Sequence, residues 1–418
     1  MVICRMSFKG GVFAKQIAKL ASGTALAQLI NIISLPLLTR LYTPSQFGVF
    51  AVFLASVAVL SSISTLKYEN AILDEEDSQD AKNCTVLTAI SGVFIVVPLL
   101  LYCIFSYYFD FSLIGIDWLT ALFLTFAIIF TNTFTALYYW CNRLQHYNFM
   151  TKGRVFAAIA VAFISLLIGY LELGTVNGLI VGSLVGMAVN MVYLILKLNI
   201  SFSTVRQISF EKLFVLFVKL KRFPLFLVPS TLLDRVAAQI HIFVFSSVFG
   251  SAIAGAMGVY NRVVGLPISL IGNAVGDVYK RRISELLKSG KSCRRAFIKT
   301  GLALFTIAAP ASCVLFFFAP EVFTFVLGEE WKQAGEIASF LSVNFLLAFV
   351  VSPLAGILYL RENQKIDLLI QIVLVVLLAI GMSIAVYENS FKIALSAYAI
   401  SFGVKYLVQL IVSFKLAK

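Results

Sequence analysis

Ile366-Asp-Leu-Leu-Ile-Gln-Ile-Val-Leu-Val-Val-Leu-Leu-Ala-Ile-Gly-Met-Ser-Ile-Ala-Val-Tyr387 carries a single charge, Asp367, near its start. Its apolar residues are continuous rather than alternating with period two, which fits a membrane-crossing helix and not an outer-membrane barrel strand. About 20 mostly apolar residues cross the hydrocarbon of a bilayer, so this stretch is long enough by itself. Comparable runs stand at 18–39, 47–66, 84–106, 118–140, 155–172, 174–196, 224–249, 252–277, 296–319, 336–360 and 391–414. The 418-residue chain is 60% hydrophobic and 13% charged, with a mean hydropathy of +0.96. Soluble domains hold about 45–50% apolar and about 25% charged residues, so soluble, disordered, collagen-like and disulfide-scaffold classes are all excluded. The expectation is an all-α integral membrane protein with twelve transmembrane helices.

Basic residues near span ends are retained on the cytoplasmic side, so their distribution tests the span count. With twelve spans, the odd-numbered connections hold only Arg40, Lys332 and Lys392. The N-terminus and the even-numbered connections hold the long basic stretches, Lys197 to Arg222 and Lys280 to Arg295 among them. Both termini are therefore expected in the cytoplasm. The net charge of +13 then faces an anionic inner leaflet and needs no nucleic acid partner. The acidic stretch Asp74-Glu75-Glu76-Asp77 with Asp80 is expected to be a solvated loop face. Cys4, Cys84, Cys103, Cys141, Cys293 and Cys313 form no CxxC and no metal-ligand spacing, so neither a disulfide nor a metal is expected.

The basic segment 197–223 lies near the middle of the chain, with six runs on either side. This predicts an N-lobe over 1–196 and a C-lobe over 224–418. Weak internal similarity supports a duplication: Ala27-Gln28-Leu29-Ile30 returns as Ala238-Gln239-Ile240-His241. Pseudo-symmetric six-helix lobes place a substrate between them, near the bilayer midplane, in a central cavity. Pro98, Pro229, Pro267, Pro310 and Pro353 interrupt helical hydrogen bonding inside runs. Gly178, Gly182 and Gly186 stand four apart on one face, the spacing of close helix packing.

Ionisable groups deep in a bilayer cost about 2.5–3.5 kcal/mol each on insertion scales, so each asks for a reason. Asp234 and Arg235 lie midway along the seventh run, Arg262 about ten residues into the eighth, and Lys405 in the middle third of the last. His241 follows Asp234 by two helical turns, and Arg40 ends the first run. Arg235, Arg262 and Lys405 against Asp234 leave two uncompensated positive charges. Such a cavity fits an anionic ligand such as a phosphate or pyrophosphate, which arginine meets bidentately. Asp234 and His241 are candidates for ion coupling. Bland readings stand beside these: an Asp234–Arg262 interhelical pair, a snorkelling Lys405, an anchoring Arg40 and a packing His241. Gly290-Lys291-Ser292 lacks the earlier glycine of a P-loop, the position being Glu285. No catalytic motif and no cofactor site is present in the sequence, which points to a secondary transporter.

Several stretches are familiar as a set. They are Arg40-Leu-Tyr-Thr-Pro44 with Phe47-Gly48, Tyr68-Glu69-Asn-Ala71-Ile72, and Gly178-Leu-Ile-Val-Gly182. Further on come Ala254-Gly255 leading to Tyr260-Asn-Arg262 and Pro267, then Leu327-Gly328-Glu329-Glu330-Trp331 with Ala334-Gly335, Ser352-Pro353-Leu354 and Gln364-Lys365. In this order the chain resembles the Wzx-type flippases, polysaccharide biosynthesis proteins of the multidrug/oligosaccharidyl-lipid/polysaccharide exporter superfamily. The resemblance implies alternating access driven by a proton or sodium gradient in a bacterial inner membrane. It implies an undecaprenyl-pyrophosphate-linked oligosaccharide as substrate, with partners among the polymerase and chain-length proteins of the same pathway, while the oligomeric state is open with a monomer as the default expectation. Arg262 falls on a basic position of that family, whereas Asp234-Arg235 stands where a neutral polar residue is expected. A multidrug or organic-ion antiporter of the same superfamily, and a membrane polysaccharide polymerase or ligase, are the rival readings.

Overall fold

The computed structural model describes residues 10–75, 77–112, 116–172, 177–199, 210–289, 292–359 and 364–417. Eleven helices are long and apolar enough to cross a membrane, and a bent pair makes up to twelve. The chain divides into two compact units. One takes the residues up to Ser34 together with Phe53–Arg235; the other takes Leu35–Val52 and everything from Val236 onward. The division therefore falls inside the first two helices, α1 (Gly10–Leu41) and α2 (Pro44–Ser64).

The first unit continues with α3 (Glu69–Asp74), α4 (Ser78–Ser91), α5 (Val93–Phe109), α6 (Trp118–Arg143), α7 (Tyr147–Tyr170), α8 (Gly178–Lys197) and α9 (Phe210–Lys219). Helices α4 and α5 form one apolar span interrupted at Gly92, where an added Cβ would stand 2.7 Å from the Asn132 amide nitrogen. Asn132 is 1% exposed and ties three helices together. The Ser64 hydroxyl donates to its Oδ1 (2.6 Å), and its Nδ2 donates to the Thr88 carbonyl (3.0 Å). Replacing Asn132 with leucine removes both bonds, leaving the Ser64 hydroxyl on the Ser61 carbonyl and the Thr88 carbonyl on the Ser91 hydroxyl. The expected cost is about 1–3 kcal/mol, read as a lower thermal midpoint in detergent.

Helix α7 starts eight residues before the apolar run expected at 155–172, which moves Arg154 from a loop into a helix. There Arg154 Nη1 donates to Thr24 Oγ1 (2.7 Å) and Nη2 to the Tyr138 hydroxyl (3.0 Å), with the guanidinium 5.1 Å from the Tyr138 ring centroid. Gly182 and Gly186 do allow close packing: a Cβ on either would collide with Ser165 or Val161 of α7. The acidic stretch after α3 is not merely solvated. Lys219 Nζ donates to Glu75 Oε1 at 2.9 Å, and the Asp77 side chain caps α4 by accepting from the Asp80 amide. That hydrogen bond to Glu75 raises the Lys219 pKa above the ordinary lysine range. The pair is thus intact at neutral pH and is lost only as alkalinity passes the raised value. Arg143 Nη1 donates to the carbonyls of Ile72 (2.8 Å) and Glu75 (2.6 Å), closing the end of α3.

The second unit holds α10 (Val228–Phe249, from Val236), α11 (Ser251–Lys288), α12 (Arg294–Leu327), α13 (Lys332–Phe340), α14 (Ser342–Leu354), α15 (Gln364–Tyr387) and α16 (Phe391–Leu416). The tenth run, expected as one span over 336–360, is instead two segments bent by 57° between Phe340 and Ser342. A bend exposes backbone polar groups that lipid cannot satisfy. Here the Ser342 carbonyl accepts from the Ser312 hydroxyl (2.8 Å), and Asn344 Nδ2 donates to the Ala399 carbonyl (2.8 Å). Hydropathy alone cannot register such a break, because both segments are apolar.

The Leu327-Gly-Glu-Glu-Trp331 stretch is a structural knot. Gly328 has φ +112°, a backbone conformation that favours glycine. An added Cβ on Gly335 would stand 2.6 Å from the Ala319 carbonyl oxygen. Trp331, 1% exposed, donates from Nε1 to the Thr39 carbonyl (2.9 Å) and meets the Phe47 ring edge-on at 4.9 Å. Trp331→Phe should cost about 1–3 kcal/mol, the hydrogen bond plus the volume the smaller ring leaves empty. Trp331→Ala should cost about 3–5 kcal/mol, and chemical denaturation of the purified protein separates the two.

Candidate functional site

The site begins with three glycines. A Cβ on Gly48 would overlap the Ser251 carbonyl, and one on Gly255 would overlap the Pro44 carbonyl and stand 2.8 Å from the Gly48 amide nitrogen. Gly258 brings a third close approach, with Ala51 at 3.1 Å from its would-be Cβ. The start of α2 and the start of α11 therefore lie backbone to backbone. That contact sets Phe47 (2% exposed) and Phe50 (4%) beneath Arg262. The Arg262 guanidinium carbon is 4.6 Å from the Phe50 ring centroid and 5.8 Å from that of Phe47.

Arg262 makes no hydrogen bond and no ion pair among the described residues. Eleven residues separate it from the start of α11, or about 16 Å along the axis. A guanidinium resting on aromatic faces keeps its edge donors free, and that edge matches a phosphate or carboxylate bidentately.

Along the same helix opens a cavity of about 90 Å³. It is lined by Tyr260 and Asn261 of α11, Asn344 of α14, and Tyr398, Phe402 and Tyr406 of α16. It has room for several water molecules. His241, 3% exposed, sits behind this wall with its ring 4.8 Å from that of Tyr398. Neither of its ring nitrogens has a hydrogen-bond partner among the described residues. Lys405 is half-buried, its Nζ 5.7 Å from the Phe402 ring centroid and 6.0 Å from that of Tyr406.

Of the residues singled out by sequence, Arg262, His241 and Lys405 belong to the second unit; His241 and Lys405 meet rings of the cavity wall, whereas Arg262 rests on Phe47 and Phe50. Arg40 is exposed at the end of α1, next to the Thr39 carbonyl that Trp331 engages. Asp234 and Arg235 fall in the first unit, are exposed, and make no ion pair among the described residues. Sequence reasoning missed the Phe47–Phe50 platform and the tyrosines. Tyr398 and Tyr406 stand eight apart on one helical face, a spacing that does signal a shared lining.

A family model described as polysaccharide biosynthesis protein matches residues 37–336. The chain belongs to the polysaccharide biosynthesis protein family. No curated protein sequence matches it. As a polysaccharide biosynthesis protein it shares the fold of solved MOP-superfamily structures. The lipid II flippase MurJ in an inward closed conformation is similar at TM-score 0.71 and 14% identity, over 95% of this chain and 87% of that one. An inward-facing multidrug resistance MATE transporter is similar at TM-score 0.61 and 16% identity, over 93% of both chains. A MOP-superfamily transporter from Pyrococcus furiosus, described as having a binding pocket of reverse polarity, is similar at TM-score 0.60 and 16% identity, over 96% and 94%.

Proposed function

We propose that this protein is a flippase. It moves undecaprenyl-pyrophosphate-linked oligosaccharide repeat units from the cytoplasmic to the periplasmic leaflet of a bacterial inner membrane, by ion-gradient-driven alternating access. The carrying observation is Arg262: a guanidinium deep in an apolar span, held on Phe47 and Phe50, with no acidic partner among the described residues. An anionic headgroup supplies the missing counter-charge, and Arg235, Lys405 and Arg40 are its further contacts. The family assignment and the likeness to MurJ support a lipid-linked cargo. The likeness to MATE transporters favours a drug-antiporter reading of the same fold, but Arg262 has the wrong sign for organic cations. Deletion of the gene, with profiling of surface polysaccharide and lipid-linked sugars in the same cells, tests the proposal. Lost polymer with accumulated inward-facing single units supports it. Unchanged polymer with new drug sensitivity overturns it.

Coupling falls to His241, with Asp234 as the second proton or cation site. A buried imidazole with both nitrogens unpartnered is unusual, and a proton taken up during the cycle accounts for it. Its ring meets Phe245 of its own helix and Tyr398 of α16, and Tyr398 shares the cavity wall with Tyr260 of α11 and Tyr406. His241→Gln should flatten the pH dependence of flipping in proteoliposomes. A full pH profile retained by the variant removes His241 from the coupling path.

A further inference from the structure

The segment between the two halves of the sequence hides a two-faced helix. Leu213, Leu216, Phe217 and Leu220 recur at helical spacing, and the structure packs them on Tyr68, Ile72, Cys84 and Leu87 of the first unit. Leu216 is 4% and Leu220 8% exposed, and the Phe217 ring lies 6.1 Å from that of Tyr68. This packing also pushes the Tyr68 phenol up to about 12, because burial disfavours its charged form. With this face engaged, α9 is fixed, and its opposite face has a defined direction.

That opposite face is neither polar nor apolar throughout. At 100° per residue it carries Glu211, Val215 and Val218, with Lys212 along one edge, and Lys221 and Arg222 follow in the turn past Lys219. Val215 is 60% and Val218 46% exposed. Lys212, Lys221 and Arg222 are exposed and outnumber the single carboxylate of this helix, Glu211, whereas Lys219 is already engaged by Glu75. Immediately downstream the next span opens with Leu225 (63%) and Phe226 (71%) exposed, so the outward valines stand beside a lipid-facing surface. A basic linker lying in water has no use for two outward valines. A helix in the headgroup layer does: its valines enter the acyl boundary while its flanking cations meet phosphates.

We propose that α9 is a docking surface for anionic phospholipid, with Lys212, Lys221 and Arg222 binding headgroup phosphates around a Val215–Val218 wedge. The proposal stands apart from the identity of the transported cargo. Its test uses the full-length protein in nanodiscs, with Val215→Trp as reporter and brominated lipids as quenchers. Brominated phosphatidylglycerol should quench the Val215→Trp signal well beyond brominated phosphatidylcholine at equal mole fraction. Lys212→Gln, Lys221→Gln and Arg222→Gln together should lower that preference roughly tenfold or more. Val218→Trp, one turn on, supplies a second reporter should the first perturb packing. Equal quenching by both lipids, no quenching, or a preference that survives the triple substitution overturns the proposal. Pyrophosphate binding in purely zwitterionic nanodiscs, lost in the triple variant, assigns the surface to cargo instead and overturns it as well.

Discussion

On the proposed function, Arg262→Ala is expected to abolish export of surface polysaccharide while the protein still inserts and accumulates. The guanidinium has no acidic partner to leave stranded among the described residues, so its removal does not uncover a buried opposite charge. Phe47 and Phe50 stay packed through Trp331 and the glycine contacts, which keeps the fold. What would disappear, on the proposed function, is a charge-assisted, bidentate contact to an anionic headgroup in a site largely shielded from water. Truncating such a contact costs about 2–5 kcal/mol, or about 30-fold to several thousandfold in affinity. Arg262→Lys keeps the charge and the aromatic contact but loses the fork, so an intermediate defect is expected. Phe50→Leu keeps the fork and removes the closer ring, which should weaken transport less than either. Quantifying polymer per cell, normalised to membrane-inserted protein, separates the three. Wild-type export by Arg262→Ala removes this residue from the substrate path.

Such an outcome was partly legible in the chain. Arg262 is conspicuous because a charge inside an apolar run carries a desolvation cost, and that cost is visible without coordinates. Its platform is not, because Phe47 and Phe50 lie more than two hundred residues earlier and look like ordinary span residues. The span pattern was readable wherever helices are simply long and apolar, as in α15. It failed at α7, where polar residues such as Arg154 are held inside a helix by Thr24 and Tyr138. It failed again at the bend before Ser342, where hydrogen bonds from other helices rather than residue polarity permit the break. Helix α9 was hidden by its own lysines, although Leu213, Leu216, Phe217 and Leu220 spell out one face. The resemblance stretches were recognised as a set, yet only coordinates show that most of them are packing devices. Gly48, Gly255, Gly335 and Trp331 all serve close contacts inside one unit.

Gly48→Ala should therefore do more damage than any substitution in the cavity lining. A Cβ there collides with the Ser251 carbonyl, a backbone atom at the first turn of α11 that no rotamer change can move aside. Relief requires α2 and α11 to separate. Separation also parts Gly255 from Pro44 and Gly258 from Ala51, and it lifts Phe47 away from Trp331. Overpacking alone costs about 1–3 kcal/mol, and the lost contacts around Trp331 add to it. A loss of that size is enough to lower steady-state abundance several-fold. Gly403→Ala is the matched control. Its would-be Cβ meets nothing within 4 Å, so alanine should stabilise α16 by about 0.5–1 kcal/mol through helix propensity. Thermal midpoints in detergent and steady-state protein levels should thus move in opposite directions for the two glycines. Equal, mild effects would mean that the α2–α11 contact is compliant. In that case Arg262 would rest on a movable floor, and its aromatic platform would carry less of the specificity than the fork itself.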